Sequence, residues 1–240
     1  MIFLSIIIPV YNNSDVLKYN LPYLAGYLSK KDYDYEIIIV DDGSSNGSEV
    51  KNISDNFNCR YIVNGKNFGK GYSIKQGMLN SDGKYRVFTD ADIPYEIEDL
   101  EKIIETLDKE KYDMVIGDRT LNASSYFKDV SILRSFGSKF FSLIIGGITS
   151  GNFSDTQCGL KGFTAETGVD LFNRTKINGF AIDVELIYLA FKRNYKIGKI
   201  PVKLRKQGVS TVMIFKHGIL MLFDLFKIKY YQLSKKYEKK

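Results

Sequence analysis

Two carboxylates one residue apart, Asp90 and Asp92 of Thr89-Asp90-Ala91-Asp92, follow directly on the β-rich run Tyr85-Arg86-Val87-Phe88. At a strand end such a pair can grip a hard cation, Mg2+ or Mn2+, which also takes the oxygens of a bound diphosphate. The chemistry that needs this is departure of a nucleoside diphosphate, a poor leaving group until its developing charge is neutralised. Three further polar clusters stand in equivalent places: Pro9-Val10-Tyr11-Asn12, Asp41-Asp42-Gly43-Ser44 and Gly117-Asp118-Arg119. Turn preference alone explains any one of them. Four together describe a ligand crevice, because parallel α/β sheets bind ligands beyond the carboxyl ends of their strands.

The elements that must position these residues are short Ile/Val runs alternating with helical patterns. Leu4 to Val10, Glu36 to Val40, Cys59 to Val63, Tyr85 to Thr89 and Asp113 to Gly117 read as strands. Asp15 to Leu28, Gly71 to Leu79 and Glu96 to Glu110 read as the intervening helices. Continuous apolar runs bounded by turns are what strands covered on both faces look like, and their alternation with helices implies parallel βαβ units. The fold class is therefore α/β, a Rossmann-like, mainly parallel sheet flanked by helices. Residues 1–211 form the main domain; past Lys192 a strand-like Ile197 to Leu204 leads to a basic, amphipathic helical segment over 212–240.

Two phosphate-binding fingerprints are absent. No G-x-G-x-x-G follows the first strand, which disfavours a dinucleotide site. Gly65-Lys66-Asn67-Phe68-Gly69-Lys70-Gly71 resembles a P-loop but is one residue short, with Gly71 where a metal-binding Ser or Thr belongs. The single histidine, His217, excludes a His-pair mechanism, and Cys59 and Cys158 have no metal-ligand spacing and read as buried thiols. Residues 192–240 carry 14 basic side chains against Asp224 and Glu238, +12, while the preceding chain stands at −6. A basic end on an acidic body is not a nucleic-acid-reading surface; it suits an anionic membrane surface. No apolar run reaches the ~20 residues a transmembrane helix needs, and no signal peptide is visible. The expected location is therefore cytoplasmic and peripheral at the membrane.

Taken in order, Pro9-Val10-Tyr11-Asn12, Val40-Asp41-Asp42-Gly43-Ser44, Asn67-Phe68-Gly69-Lys70-Gly71 and Asp90-Ala91-Asp92 resemble the inverting family-2 glycosyltransferases of GT-A fold. Asp155-Thr156-Gln157-Cys158-Gly159-Leu160-Lys161-Gly162-Phe163 is similar to a block of the dolichyl-phosphate β-glucosyltransferase branch, as are Phe180 to Leu186 and Ile200-Pro201-Val202. The resemblance implies that Pro9, Tyr11, Asn12, Asp41 and Asp42 hold a uracil or guanine base and ribose. It places Lys70 and Ala91 near the nucleotide, Asp90 at the ribose or the metal, and Asp92 at the metal. Arg119, Arg134 and Ser138 match positions near an acceptor phosphate, a role guanidinium forks suit. Two positions depart from the pattern: Asn13 replaces a common Glu, and Pro94 stands where mannosyl members carry Gln. The second leaves glucosyl transfer from a UDP-hexose ahead of mannosyl transfer.

The expected reaction moves a hexose to a polyprenyl or dolichyl phosphate. A phosphate monoester is already mostly dianionic at neutral pH and needs no base. A sugar hydroxyl would need one, for which Asp155, Asp183 and Glu185 are the candidates, although Asp183 and Glu185 also fit a helix start. The rival enzyme is a soluble transferase building a surface polysaccharide. A sugar-nucleotide pyrophosphorylase lacks its glycine-rich, Arg-containing loop here, and a non-catalytic binding module would not consume donor. The apolar stretches Arg134 to Ile148 and Val212 to Tyr231, with the lysine-rich end, suit a bilayer interface. The competing reading has them cover the sheet and pair two copies of the chain.

Overall fold

A computed structural model describes residues 1–124, 155–205 and 214–238, without the side chains of 214–219. Seven strands form one sheet: β1 (Leu4–Val10), β2 (Tyr35–Asp41), β3 (Arg60–Val63), β4 (Tyr85–Phe88), β5 (Met114–Asp118), β6 (Lys161–Thr164) and β7 (Ile197–Pro201), in the order β3-β2-β1-β4-β6-β5-β7. β1 runs parallel to β2 and β4, β2 to β3 and β5 to β7. β6 alone runs against its neighbours, pairing Lys161 with Phe88 on one side and Ile116 on the other. That reversal brings the beginning of β6 to the edge where the parallel strands end. The motif Asp155 to Phe163 therefore ends inside a strand, which its residue types do not announce.

The helices are α1 (Ser14–Leu28), α2 (Gly47–Asn56), α3 (Lys70–Leu79), α4 (Ile97–Asp108), α5 (Ala165–Arg174), α6 (Ile182–Lys192) and α7 (Ile214–Leu233). α1 buries Leu17, Leu21, Leu24 and Leu28, and α4 buries Leu100, Ile103, Ile104 and Leu107, the spacing of one helix face. Each such side chain contributes about 1.5–3 kcal/mol on burial. Both helices serve the cluster on one side of the sheet, with Ile6, Ile8, Ile37, Ile39 and Val87. The other side packs Ile7, Ile38, Val40 and Phe88 against α3, α5 and α6.

α6 is buried from Ile182 through Ala190 without interruption, so it is covered on every side. Its outer cover is α7, whose Leu225 and Ile228 belong to the same cluster, as does Tyr237 beyond the helix. Tyr237 donates its hydroxyl to Glu185 Oε1 at 2.7 Å. Leu225, Ile228 and Tyr237 of the segment that follows β7 thus pack against α6. Opposite that inner face α7 exposes Phe223, Phe226, Tyr230 and Leu233. Among the described residues no helix is long and apolar enough to cross a membrane.

Candidate active site

The chain order around β1 reverses between β2 and β4, and the polar strand ends gather at that switch. After β1, Asn12 takes a left-handed φ of 49°. Its backbone N–H donates to Ser44 Oγ at 2.8 Å and its Oδ1 accepts from Ser45 N at 2.8 Å, clipping the first strand end to the second. Tyr11 beside it is exposed. Asp41 and Asp42 are buried and occupied. Asp41 accepts from Ser44 N at 2.9 Å and Tyr61 Oη at 2.8 Å. Asp42 accepts from Asn64 Nδ2 at 2.7 Å, Phe68 N at 3.1 Å and Gly69 N at 2.7 Å. Both carboxylates hold the loops that frame the crevice, which qualifies the expectation that they face base and ribose.

The loop wrapped on Asp42 ends at Gly69, whose φ of 106° and whose closeness to Asn178 O leave no room for a side chain: a Cβ would lie 2.5 Å from that oxygen. α3 starts at the next residue, and Lys70 reaches across to an ion pair with Asp90 Oδ1. Tyr72 N donates to Asn178 O at 3.1 Å, locking this turn to the segment before α6. Burial pulls the Lys70 pKa down, but the charges of Asp90, Asp183 and Asp92 overcome it and the pKa rises.

β4 leads into a turn in which Ile93 N donates to Asp90 O at 3.0 Å. Ile93, buried and β-branched, takes a φ of 41° there, a conformation costing of order 1–3 kcal/mol. Asp92 Oδ1 is buried and has no hydrogen-bond partner among the described residues. Burial first, then the Asp90 charge, pushes the Asp92 carboxyl up to about 6. An orphaned carboxylate oxygen beside a second carboxylate fits a divalent cation, the ligand it lacks. Among the described residues no set of three or more acidic, His or Cys side chains gathers as a metal cluster. Two carboxylates, with substrate phosphates and water completing the shell, is the arrangement Mg2+ commonly accepts.

The block from Asp155 to Lys161 closes the other wall. Gly159 lies so close to Asp90 that a Cβ would stand 2.1 Å from its Oδ2, and Gly159 N donates to Tyr95 Oη at 3.1 Å. Asp155 is buried and bidentate with Arg119, accepting from Nε and Nη2, each at 2.7 Å, and from Arg119 N at 2.8 Å. Burial would raise the Asp155 pKa, but these bonds and the guanidinium charge hold it below the ordinary carboxylate value. Asp183, in the first turn of α6, accepts from Lys161 Nζ at 2.5 Å. Glu185 accepts from Lys176 N at 2.9 Å and Ile177 N at 3.0 Å, besides Tyr237; burial raises its pKa. All three candidate bases thus have partners among the described residues: Arg119 for Asp155, Lys161 for Asp183, and two backbone N–H groups with Tyr237 for Glu185.

The structure thus gathers Lys70, Asp90, Asp92, Asp155 and Asp183, with Arg119, around one crevice bounded by the ends of β1 and β2. Arg134 and Ser138 lie outside the described residues. The sequence displays Gly159 and Lys161 inside the Asp155 motif but assigns them no role, and Tyr95 carries no signal at all. The two thiols are buried as expected, burial pushing Cys59 up to about 12 and Cys158 up to about 11.

A mainly parallel seven-stranded sheet with acidic residues at the switch point is the GT-A fold of glycosyltransferases. Solved structures share it. Glucosyl-3-phosphoglycerate synthase from Mycobacterium tuberculosis in complex with UDP has a TM-score of 0.72 at 13% identity, over 94% of this chain and 79% of that one. The same enzyme with Mn2+, UDP-glucose and phosphoglyceric acid gives 0.68 at 13% identity, over 94% and 79%. Mannosyl-3-phosphoglycerate synthase from Rubrobacter xylanophilus gives 0.75 at 13% identity, over 98% and 75%. Residues 5–166 match Glycosyl transferase family 2, and the chain belongs to that family as a glycosyltransferase. Its relatives include the dolichyl-phosphate β-glucosyltransferases of Dictyostelium discoideum, 34% identical over 95% of this chain and 74% of the relative, and of Saccharomyces cerevisiae, 31% identical over the same shares.

Proposed function

We propose that the protein transfers glucose from UDP-glucose to a polyprenyl or dolichyl phosphate, with inversion, at a membrane surface. The observation that carries this reading is the state of the acidic residues. Asp155 is neutralised by Arg119 and Asp183 by Lys161, while Glu185 is bonded to backbone and Tyr237. Three candidate bases that are already paired suit an acceptor that arrives ionised, as a phosphate does. The names of the curated relatives support the acceptor, and the complexes of the structural relatives support a UDP-sugar and a divalent metal.

In this mechanism Asp90 and Asp92 would hold a divalent cation, Mg2+ or Mn2+, which when bound neutralises charge developing on the departing UDP. Lys70, at the start of α3, adds a second positive charge on the donor's phosphate side, where a helix N-terminus also favours anions. The strand-end loops fixed by Asn12, Asp41 and Asp42 shape the nucleotide pocket. Asp155 fixes one edge of the Arg119 guanidinium, and the other edge is directed to the acceptor phosphate, placing its oxygen for in-line attack on the anomeric carbon. Positioning and electrostatics then supply the rate.

The membrane part of the proposal rests on α7. At 100° per residue, Phe223, Phe226, Tyr230 and Leu233 share the face opposite Leu225 and Ile228, with Lys227 and Lys229 at its two edges. An apolar stripe edged by lysines suits an anionic bilayer interface. The test of function is a donor screen against polyprenyl phosphate, following nucleoside diphosphate release. UDP-glucose should be consumed only when lipid phosphate is present. Transfer to soluble saccharides alone would replace this reading with polysaccharide synthesis.

A further inference from the structure

Lys161 heads β6 in the interior of the sheet with none of its surface in water. Its ammonium has two polar contacts, Cys158 O at 2.6 Å and Asp183 Oδ1 at 2.5 Å, and faces the ring of Phe88 at 5.6 Å. Burying such a pair removes both ions from water at a cost of several kcal/mol each, and apolar side chains of similar volume commonly serve stability as well or better. Filling the core therefore does not explain the pair. Its neighbour does. The start of α3 packs on the segment that leads into Asp183: Tyr72 N donates to Asn178 O at 3.1 Å and Lys70 Nζ lies 6.0 Å from the centre of the Phe180 ring, so the Asp183 charge reaches Lys70 while Lys70 is in contact with Asp90.

Lys70 and a divalent cation want the same carboxylate. When the cation takes Asp90 and Asp92, Lys70 loses its ion-pair partner. Asp183 is the remaining carboxylate of the set, and Lys161 holds it in place. Resting on the metal-and-donor reading above, we infer that Lys161 is a positioning residue: through Asp183 it supplies the fixed negative charge that receives Lys70 when metal displaces it from Asp90. Lys70 thereby stays on the donor's phosphate side rather than competing for the metal ligand. The five side chains sum to −1 without metal and to +1 with it, a balance suited to the incoming diphosphate.

The experiment is a cycle read by Mn2+ binding, from the electron paramagnetic resonance signal of free Mn2+. It compares wild type, K70M, the pair variant K161M/D183N and the triple variant. The pair variant removes one positive and one negative charge, so the site's net charge is unchanged and no buried ion is orphaned. The pair substitution should weaken Mn2+ binding about tenfold when Lys70 is present and less than about twofold in the K70M background, couplings of that size being usual between neighbouring charges. Thermal melts establish that each variant folds; K161Q/D183N, which keeps a neutral hydrogen bond, replaces the Met pair if that pair does not. Equal effects in both backgrounds, or none in either, would overturn the inference and leave the metal reading standing. Absence of Mn2+ binding by wild type would overturn both.

Discussion

Gly159→Ala isolates the contact between the Asp155 block and the metal-binding turn. The added Cβ would stand 2.1 Å from Asp90 Oδ2 and 2.9 Å from its Cγ. An ordinary carbon–oxygen contact is about 3.3 Å, so the carboxylate must retreat by about 1.2 Å. Asp90 is about one-third exposed (35%) and can turn toward solvent, whereas Gly159 is fixed through its N–H to Tyr95. The displacement therefore falls on the carboxylate and on its ion pair with Lys70, and fold stability should change by less than about 1 kcal/mol, as for substitutions that neither open nor overfill the core. Misplacing a catalytic group by about 1 Å costs on the order of 100-fold in rate. Turnover of UDP-glucose with polyprenyl phosphate, Mn2+ affinity and Tm are measured together on the same preparation. A loss of turnover near 100-fold, with weakened Mn2+ binding and a near-native Tm, is expected. A folded variant with wild-type turnover and Mn2+ affinity would refute the claim that this block positions Asp90.

Asp92→Asn should abolish metal-dependent transfer while preserving the melt, and turnover surviving in excess chelator would sink the metal-assisted mechanism. Asp155→Ala strips Arg119 of its buried partner and should destabilise the fold by about 3–5 kcal/mol, read by urea titration. Because the Asp155 pKa is depressed in the fold, its stabilisation is present above the ordinary Asp value of about 3.9 and lost as pH falls through the folded value. In Asp155→Asn that acid-side loss should disappear from the stability profile; an unchanged acid limb counts against the pairing. Tyr237→Phe leaves Glu185 without its hydroxyl donor and should cost about 1–3 kcal/mol, whereas an unchanged melt would mean the C-terminal segment is not part of the domain. Phe223→Ser with Phe226→Ser, both exposed, should loosen the protein from anionic liposomes with little change in Tm, and high salt should loosen the wild type's electrostatic attachment; equal flotation of variant and wild type would locate the contact elsewhere.

The centre of the parallel half of the sheet was legible because β1, β2 and β4 are covered on both faces. Ile6 to Ile8 and Ile37 to Ile39 are continuous apolar runs for that reason, and turn residues punctuate them. β6 escaped notice because only four residues, Lys161–Thr164, form it, and they include a lysine and a glycine. Nothing in four residues separates a strand from a loop; only neighbours on both sides make one here. α7 was legible as amphipathic, yet its inner face was not, since what it covers is α6. The clue lay in α6 itself. Ile182-Asp183-Val184-Glu185-Leu186-Ile187-Tyr188-Leu189-Ala190 is apolar almost all round, and a helix of that kind must be buried on every side.

Site chemistry divides along the same line. Asp90 and Asp92 could be singled out because their function depends on local spacing at a strand end, which the sequence displays. The roles of Asp155 and Asp183 depend on partners 36 and 22 residues away, Arg119 and Lys161. Before the fold brings them together, each is merely an acid in a motif, and an acid near a reacting centre reads naturally as a base. Once the chain is folded, each has a cation as partner: Arg119 for Asp155 and Lys161 for Asp183. The antiparallel course of β6 decides this for Asp183, because it delivers Lys161 to the crevice edge, where a parallel strand would have delivered Thr164. A reversal in strand direction, invisible in residue types, thus gives Asp183 its lysine partner.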